Sequence, residues 1–220
     1  LMRNFAFLYF SRDIAEFWRR WHISLSTWFR DYLYIPLGGS RGSVFQKVRN
    51  VFVIFLVSGF WHGANWTFVF WGALNALYIL PLVLSRLNRS NLEIVAQNNW
   101  YPTWKEILQM GLTFLLTVLA WISFRAEDIG QAWQIYQGIF NASLFQLPEL
   151  DKLDGELLVI IMISILIIIE WIFRKKQFAL EDLDKHLGIF SRYLVYCLVF
   201  LVIVFYRNFE NSIEFIYFQF

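Results

Sequence analysis

A run of 36 residues without Asp, Glu, Lys or Arg, at positions 50–85, constrains this chain more than any other feature. One charge at the centre of a bilayer costs about 2.5 to 3.5 kcal/mol on insertion scales. A single helix needs roughly 20 apolar residues to cross the bilayer, so the run is nearly twice too long for one span. It predicts a membrane hairpin or a re-entrant segment, and non-helical backbone within it is expected to line a cavity.

Three further runs predict additional membrane helices. They lie at 107–124, 157–173 and 193–206 and contain 18, 17 and 14 residues. The second run includes Glu170, for which Arg174 is the expected partner one turn later. Only 16% of the residues are charged, against about 25% in soluble domains. The predicted fold class is therefore all-α, in a polytopic integral membrane protein.

The basic residues of the loops favour the hairpin. If the long run returns to its side of entry, fifteen loop Lys and Arg residues lie on one side of the membrane and three on the other. A single crossing would divide them almost evenly. Because Lys and Arg accumulate in cytoplasmic loops, the basic side is expected to be cytoplasmic.

Several function classes are excluded or lack support. The single Cys197 excludes a disulfide framework and a cysteine-based metal centre. The sequence has no His-Glu-x-x-His and no Gly-x-Ser-x-Gly motif, so neither a zinc site nor a serine triad is supported. The 19 basic and 17 acidic residues are too evenly balanced to indicate a nucleic-acid partner. No metal and no bound cofactor is predicted.

The first candidate segment covers residues 18–40, WRRWHISLSTWFRDYLYIPLGGS. On a helical wheel its aromatic residues form one stripe, with His22 at the edge and Arg30 outside it. One interpretation is an amphipathic helix in the membrane interface. The other is that His22 faces a polar cavity between helices. The glycines that follow, in GGSRG at 38–42, are typical of a plain turn or of an anion-binding backbone nest, to which Arg41 would add charge.

The second candidate segment, SGFWHGANWTFVFWG at 58–72, lies inside the long uncharged run. A helix starting at Asn50 would carry His62 about 18 Å along its axis, near the centre of the hydrocarbon core. An ionisable residue at that depth indicates function. The alternative is a structural histidine that is hydrogen-bonded to a neighbouring helix. Asn65 is a candidate to orient the imidazole ring.

These two segments, together with FRAED at 124–128 and the terminal EFIYFQF, resemble the membrane-bound O-acyltransferase family. Within it, the strings are similar to the bacterial branch that O-acetylates alginate, and more distantly to the D-alanyl transfer protein of teichoic acids. The resemblance follows nearly the whole chain in order. Members of this family are longer, with further helices before the first histidine segment. Residues 1–220 are therefore expected to form the C-terminal part of a single membrane domain.

The resemblance implies a multi-pass protein of the bacterial inner membrane, with a helical ring around a thinned centre. His62 matches the histidine regarded as catalytic, and His22 matches the second histidine of the branch. The donor would be acetyl-CoA or another acyl thioester from the cytoplasm. The acceptor would be a hydroxyl of an exopolysaccharide such as alginate, or of a protein, outside the membrane. Membrane lipid and a periplasmic acetyltransferase are the expected partners.

Acyl transfer from a thioester to a hydroxyl assigns roles to these residues. A neutral imidazole that removes the hydroxyl proton contributes about 10² to 10⁴ in rate. We expect His62 to be this base and His22 to position donor or acceptor. Asn65 and Tyr32 are candidate donors to the developing oxyanion. The remaining candidates for positioning substrate are Trp61, Arg30 and Arg41.

Two other function classes remain open from the sequence. A histidine-containing transporter or channel also needs buried ionisable groups, but transporters usually show repeat symmetry and several intramembrane carboxylates. A non-catalytic scaffold for a periplasmic acetyltransferase predicts that both His22 and His62 are dispensable.

Overall fold

The computed structural model describes residues 2–141, 154–178, 180–181 and 183–206, and helices dominate these residues. A short 3-10 turn at Leu8–Phe10 precedes the first α-helix, and a π-helical turn at Arg30–Tyr34 follows the second. The α-helices are α1 (Ile14–Arg20), α2 (Ile23–Phe29), α3 (Val44–His62), α4 (Trp66–Leu84), α5 (Trp104–Arg125), α6 (Ile129–Ile139), α7 (Asp154–Ile172), α8 (Leu183–His186) and α9 (Ile189–Tyr206). The predicted all-α class is confirmed. The terminal EFIYFQF string lies outside the described residues.

The long uncharged run forms a hairpin of two helices. α3 ends at His62, and α4 begins at Trp66, where the Asn65 side chain accepts a hydrogen bond from the Thr67 amide. Each helix has 19 residues and is apolar enough to cross a membrane. The hairpin prediction is therefore confirmed.

Two glycines let the backbones of α3 and α4 approach closely. A Cβ atom added to Gly72 would lie 2.2 Å from the carbonyl oxygen of Phe55, and one added to Gly59 would lie 2.3 Å from that of Phe68. Small residues at helix contacts are how membrane helices pack without a hydrophobic driving force. The two contacts fix the antiparallel register of the hairpin.

α5 is the third helix long and apolar enough to span a membrane. Its first turn is closed by a capping box, in which Thr103 and Glu106 each bind the other's backbone amide. α5 packs against α4 and continues into α6, whose first turn is capped by Asp128. α7 and α9 confirm the other two predicted helices, although their described apolar parts are shorter than a full span.

The predicted single helix through the aromatic stripe is wrong. α1 ends at Arg20 because His22 adopts a left-handed conformation, with φ of 43°, and α2 begins one residue later. Trp18 does not lie in an interfacial stripe. Its ring packs edge-on against Phe55 at 5.2 Å and Trp71 at 5.8 Å, inside the helical assembly.

A buried charge cluster anchors α1. Glu16 is almost fully buried and accepts hydrogen bonds from the guanidinium groups of Arg12 and Arg20, at 3.1 and 2.5 Å. Arg12 also pairs with Glu106 at the start of α5 and donates to the carbonyl of Glu93. Because buried charges must be paired, the cluster ties α1 to α5 and to the connector between α4 and α5.

The expected Glu170–Arg174 ion pair does not form. Arg174 instead donates to the carbonyls of Val95, Ala96 and Asn99 in the connector between α4 and α5. Its guanidinium lies 4.1 Å from the centre of the Trp171 ring. Several backbone acceptors and an aromatic face therefore hold this arginine, and the connector is fixed against α7.

Candidate active site

His62 lies at the end of the hairpin in an aromatic enclosure. Its imidazole is 9% exposed, with the rings of Trp71 and Phe124 at 5.3 and 5.0 Å and Trp61 at 5.0 Å. α3 starts at Val44, six residues before the start assumed from sequence. His62 is the last residue of α3, and its depth near the centre of the hydrocarbon core stays a prediction.

His22 occupies the break between α1 and α2. Its left-handed backbone carries no side-chain cap, but its carbonyl accepts the amide of Ser26 and so starts α2. The Nδ1 atom is buried and has no hydrogen-bond partner among the described residues. His22 follows α1, whose Trp18 ring contacts Trp71 at 5.8 Å, and Trp71 in turn contacts His62 at 5.3 Å. The position favours the interpretation of a histidine between helices over that of an interfacial helix.

A cavity of about 200 Å³ lies between α2, α3 and α4, and neither histidine is part of its lining. Ser58 lies in its lining one turn before His62, and Ser26 lies in it one turn after His22. Trp18, also in the lining, contacts Trp71, whose ring touches His62. The rest of the lining is mainly apolar and includes Phe29, Val51, Ile54, Phe55, Ile79 and Val83. Residues of the uncharged run therefore line a cavity, as expected, but these residues are helical, and the turn at 63–65 is not part of the lining.

The cavity continues into a basic cleft. Three neighbouring depressions of about 590, 400 and 340 Å³ share Arg89 in their linings. The basic residues of this cleft are Arg19, Arg30, Arg41, Lys47, Arg86 and Arg89. Asp31 offsets part of this charge by pairing with Arg30 at 2.7 Å. A concave surface with one dominant charge sign attracts ligands of the opposite sign, so the cleft is suited to an anion.

The glycine-rich segment forms a turn at the rim of this cleft. Gly38 and Gly39 have φ of 101° and 58°, in the left-handed region that favours glycine. Their amides donate to backbone carbonyls within the turn. Asn50, fully buried in α3, donates to the carbonyls of Leu37 and Gly39 at 3.1 and 3.0 Å. Because the turn uses these amides itself, the structure favours the plain turn over the anion nest.

Two predicted oxyanion donors lie elsewhere. Tyr32 is 69% exposed and its ring packs on Trp28 at 5.4 Å. Asn65 caps α4 and donates to the carbonyl of Glu127, so its amide is committed to the turn. Neither residue supports the predicted role.

The other predicted residues do lie at the site. Trp61 contacts the His62 ring. Arg30 borders both the cavity and the cleft, and Arg41 lines the outer cleft. Among the residues that the structure describes, no group of three or more His, Cys, Asp or Glu side chains is arranged to hold a metal.

Several site residues were not predicted from the sequence. Ser58 lies one turn before His62 on α3, and this i to i+4 spacing could have identified it. Ser26 follows His22 by the same number of residues, but its hydroxyl donates to the Trp21 carbonyl at 3.0 Å. Tyr34 belongs to the first histidine segment, but no feature of the sequence indicates that Tyr34 rather than Tyr32 lines the site. Arg89 comes from the polar connector between α4 and α5, and no local pattern places it near residues 30–41.

Comparisons with known proteins show the family of this chain. A family model described as membrane-bound O-acyltransferase matches residues 3–123, which include both histidines. The probable alginate O-acetylase AlgI of Pseudomonas aeruginosa is 46% identical over 151 residues, covering 69% of this chain and 27% of that protein. The protein of the same name from Azotobacter vinelandii is 40% identical over 182 residues, covering 83% of this chain and 34% of that protein.

A relative named for another acceptor is also similar. The peptidoglycan O-acetyltransferase of Helicobacter pylori is 37% identical over 155 residues, covering 70% of this chain and 28% of that protein. The chain thus spans well under two thirds of the length of these relatives. The family model covers more than half of the chain, from before the first histidine to the end of the third long apolar helix. This multi-pass membrane protein therefore belongs to the membrane-bound O-acyltransferase family.

Proposed function

We propose that this protein transfers an acyl group, acetyl in the simplest case, from a thioester donor to a hydroxyl of an exopolysaccharide such as alginate. Its relatives are named as O-acetylases or O-acetyltransferases, which supports this reaction class. The observation that carries the proposal is the position of His62. It is enclosed by aromatic rings beside His22, near a cavity that connects to a basic cleft.

The shape of the cleft and cavity suits acetyl-CoA as the donor. Arg41, Lys47 and Arg89 line the outer cleft and would hold the phosphates. The cavity beyond them is narrow and mainly apolar, which suits the slender pantetheine arm. An arm that follows this route brings its thioester toward Ser58 and Ser26, one turn from the two histidines.

His62 would act as the general base. The acceptor hydroxyl gives its proton to the neutral imidazole while its oxygen bonds to the thioester carbonyl carbon. The tetrahedral intermediate then collapses, the carbon–sulfur bond breaks, and the departing thiolate takes the proton from the imidazolium. A histidine, with a reference pKa near 6.5, suits both proton transfers at neutral pH. The aromatic enclosure limits water, which would otherwise hydrolyse the thioester.

The distribution of charge gives a direction to the transfer. The basic cleft lies where α3 begins and α4 ends, because it contains Lys47 and Arg86. His62 lies at the opposite end of α3. Because basic loops lie on the cytoplasmic side, the donor enters from the cytoplasmic side of a bacterial inner membrane. The acceptor, or a periplasmic acetyltransferase partner that passes the group on, approaches from outside.

A reconstituted vesicle assay tests this function. Acetyl-CoA labelled in its acetyl group is supplied to vesicles containing the protein, together with an alginate acceptor, and labelled ester is measured. We expect ester formation that depends on intact protein. Proton or solute conduction without ester would indicate a channel. Ester formed by an added periplasmic acetyltransferase, at the same rate with both His22→Ala and His62→Ala, would indicate a scaffold. Either of these results contradicts the proposal.

A further inference from the structure

Tyr34 lies at the junction of the cavity and the cleft. It lines the apolar cavity beside the histidines and each of the three depressions of the basic cleft. No other described residue belongs to all four of these linings. Arg30, Asn88 and Arg89 each belong to three of them. Tyr34 therefore borders the cavity and all three depressions of the cleft, and a ligand that moves between cleft and cavity passes beside it.

The backbone around Tyr34 is anchored to α3. The Gly39 amide donates to the Tyr34 carbonyl at 2.8 Å, and the Gly39 carbonyl accepts from the buried Asn50 at 3.0 Å. The edge of the Tyr34 ring faces this turn, because a Cβ atom added to Gly39 would lie 3.8 Å from it. The turn and α3 therefore hold the Tyr34 backbone at the junction.

The phenol is neutral at the junction. Burial raises the pKa of the Tyr34 hydroxyl above its usual value near 10, while the charge of nearby Arg89 acts in the opposite direction. The junction therefore joins a cationic wall on the cleft side to an uncharged ring and an apolar cavity beyond it. Such a boundary holds anionic groups outside and admits a neutral chain.

We propose that Tyr34 is a specificity-determining residue for the donor, acting as the neck through which the thioester arm passes. It admits an arm that ends in a small acyl group and excludes branched or longer acyl groups. In a confined site one methylene group is worth about 10- to 200-fold in selectivity, so one ring at a neck suffices to discriminate. This inference rests on the proposed acyl transfer, but the neck itself can be measured without it.

The first experiment measures passage alone. The protein carries Cys197→Ser, which removes an exposed thiol, and Ser58→Cys, which places a thiol in the cavity lining. Thiol reagents that carry a charged head group and either a small or a bulky neutral reactive arm are added from the cleft side of membrane vesicles, and labelling rates are compared. We expect Tyr34→Ala to raise the rate for the bulky reagent about tenfold or more, with a smaller change for the small reagent. Tyr34→Trp should slow both.

Two variants control this measurement. Tyr32→Ala removes a neighbouring tyrosine that lies outside the cavity and cleft linings, and it should leave both rates unchanged. If Tyr34→Ala does not fold, Tyr34→Leu keeps apolar contact with Gly39 and tests the same widening. If the bulky reagent labels the cavity thiol at the same rate in the wild type and in folded Tyr34→Ala or Tyr34→Leu, the proposal that Tyr34 forms a neck is wrong.

The second experiment measures selectivity. The ratio of kcat/KM for a butyryl thioester to that for the acetyl thioester should rise about tenfold in Tyr34→Ala, and Tyr34→Phe should keep the wild-type ratio because it keeps the ring. An unchanged ratio in Tyr34→Ala, with faster labelling, would overturn the role in specificity. If labelling changes as expected but neither the wild type nor any variant transfers acyl groups, the neck at Tyr34 is supported and the proposed function is contradicted.

Discussion

Gly72 of α4 lies against the backbone carbonyl of Phe55 in α3, with room for a hydrogen atom but not for a methyl group. Gly72→Ala would place a Cβ atom 2.2 Å from that oxygen. We expect a loss of about 1 to 3 kcal/mol in unfolding free energy, because the rigid backbone cannot move aside without separating the hairpin. The midpoint of thermal unfolding in detergent should fall.

Gly111→Ala is the matched control for this substitution. Gly111 lies within α5, and a Cβ atom there meets no other atom within 4 Å. Its replacement should leave stability unchanged or raise it slightly, because alanine favours the helix. Equal unfolding midpoints for Gly72→Ala and the wild type would contradict the close approach of α3 and α4.

Asn50 should be required for the turn that backs Tyr34. Asn50→Ala removes the hydrogen bonds that Asn50 donates to the Leu37 and Gly39 carbonyls. The Leu37 carbonyl keeps a bond from Arg49, whereas the Gly39 carbonyl loses its Asn50 donor, and an unpaired buried acceptor costs about 1 to 3 kcal/mol. We expect a lower unfolding midpoint and faster hydrogen exchange in residues 37–42. Asn98→Ala, at an exposed position of the connector, should change neither quantity. Unchanged exchange in the turn would show that Asn50 does not anchor it.

Arg174 should fix the connector between α4 and α5. Arg174→Lys keeps the charge but loses the planar fork that donates to the carbonyls of Val95, Ala96 and Asn99. We expect faster proteolytic cleavage within residues 92–101, followed by mass spectrometry of the fragments. Lys175→Ala, at the exposed neighbouring position, is the control. Similar cleavage rates in Arg174→Lys and the wild type would mean that the connector is held by other contacts.

Arg89 should contribute to donor binding if the cleft holds the phosphates of an acyl-CoA. A hydrogen bond to a charged group is worth about 1.5 to 3 kcal/mol, so Arg89→Gln should raise KM for acetyl-CoA roughly tenfold or more and leave kcat nearly unchanged. The effect should shrink as salt concentration rises. Arg125→Gln, at an exposed arginine that ends α5 and lines none of the three depressions of the cleft, is the control. The same KM for acetyl-CoA in Arg89→Gln and Arg125→Gln would show that the donor phosphates do not bind in the cleft beside Arg89.

The sequence predicts the long helices well because the insertion cost acts on every residue. One charge in 50–85 would have broken that run, and its absence alone indicates both α3 and α4. The break at His22 could not be predicted in this way. The helical spacing of aromatic residues continues through Trp21 and Trp28, although α1 ends at Arg20. The left-handed turn is stabilised by packing of Trp18 and Trp21 on helices far along the chain.

Long-range contacts also explain the mistaken partner of Arg174. Spacing along α7 indicates Glu170, but the connector supplies several carbonyls that no local pattern places beside α7. The cleft has the same origin, because Arg41 and Arg89 come from segments that meet only after the hairpin closes. Residue type and position identified both histidines, whereas their proximity required the fold.

The most direct measurement of the central claim is the single-turnover rate of acyl transfer by His62→Ala, compared with the wild type in the same vesicles. Circular dichroism and the unfolding midpoint establish that the variant is folded. We predict a rate lower by about 10² to 10⁴, with bound donor retained and partial recovery on addition of free imidazole. A folded His62→Ala protein that transfers acyl groups at the wild-type rate would contradict the assignment of His62 as the base.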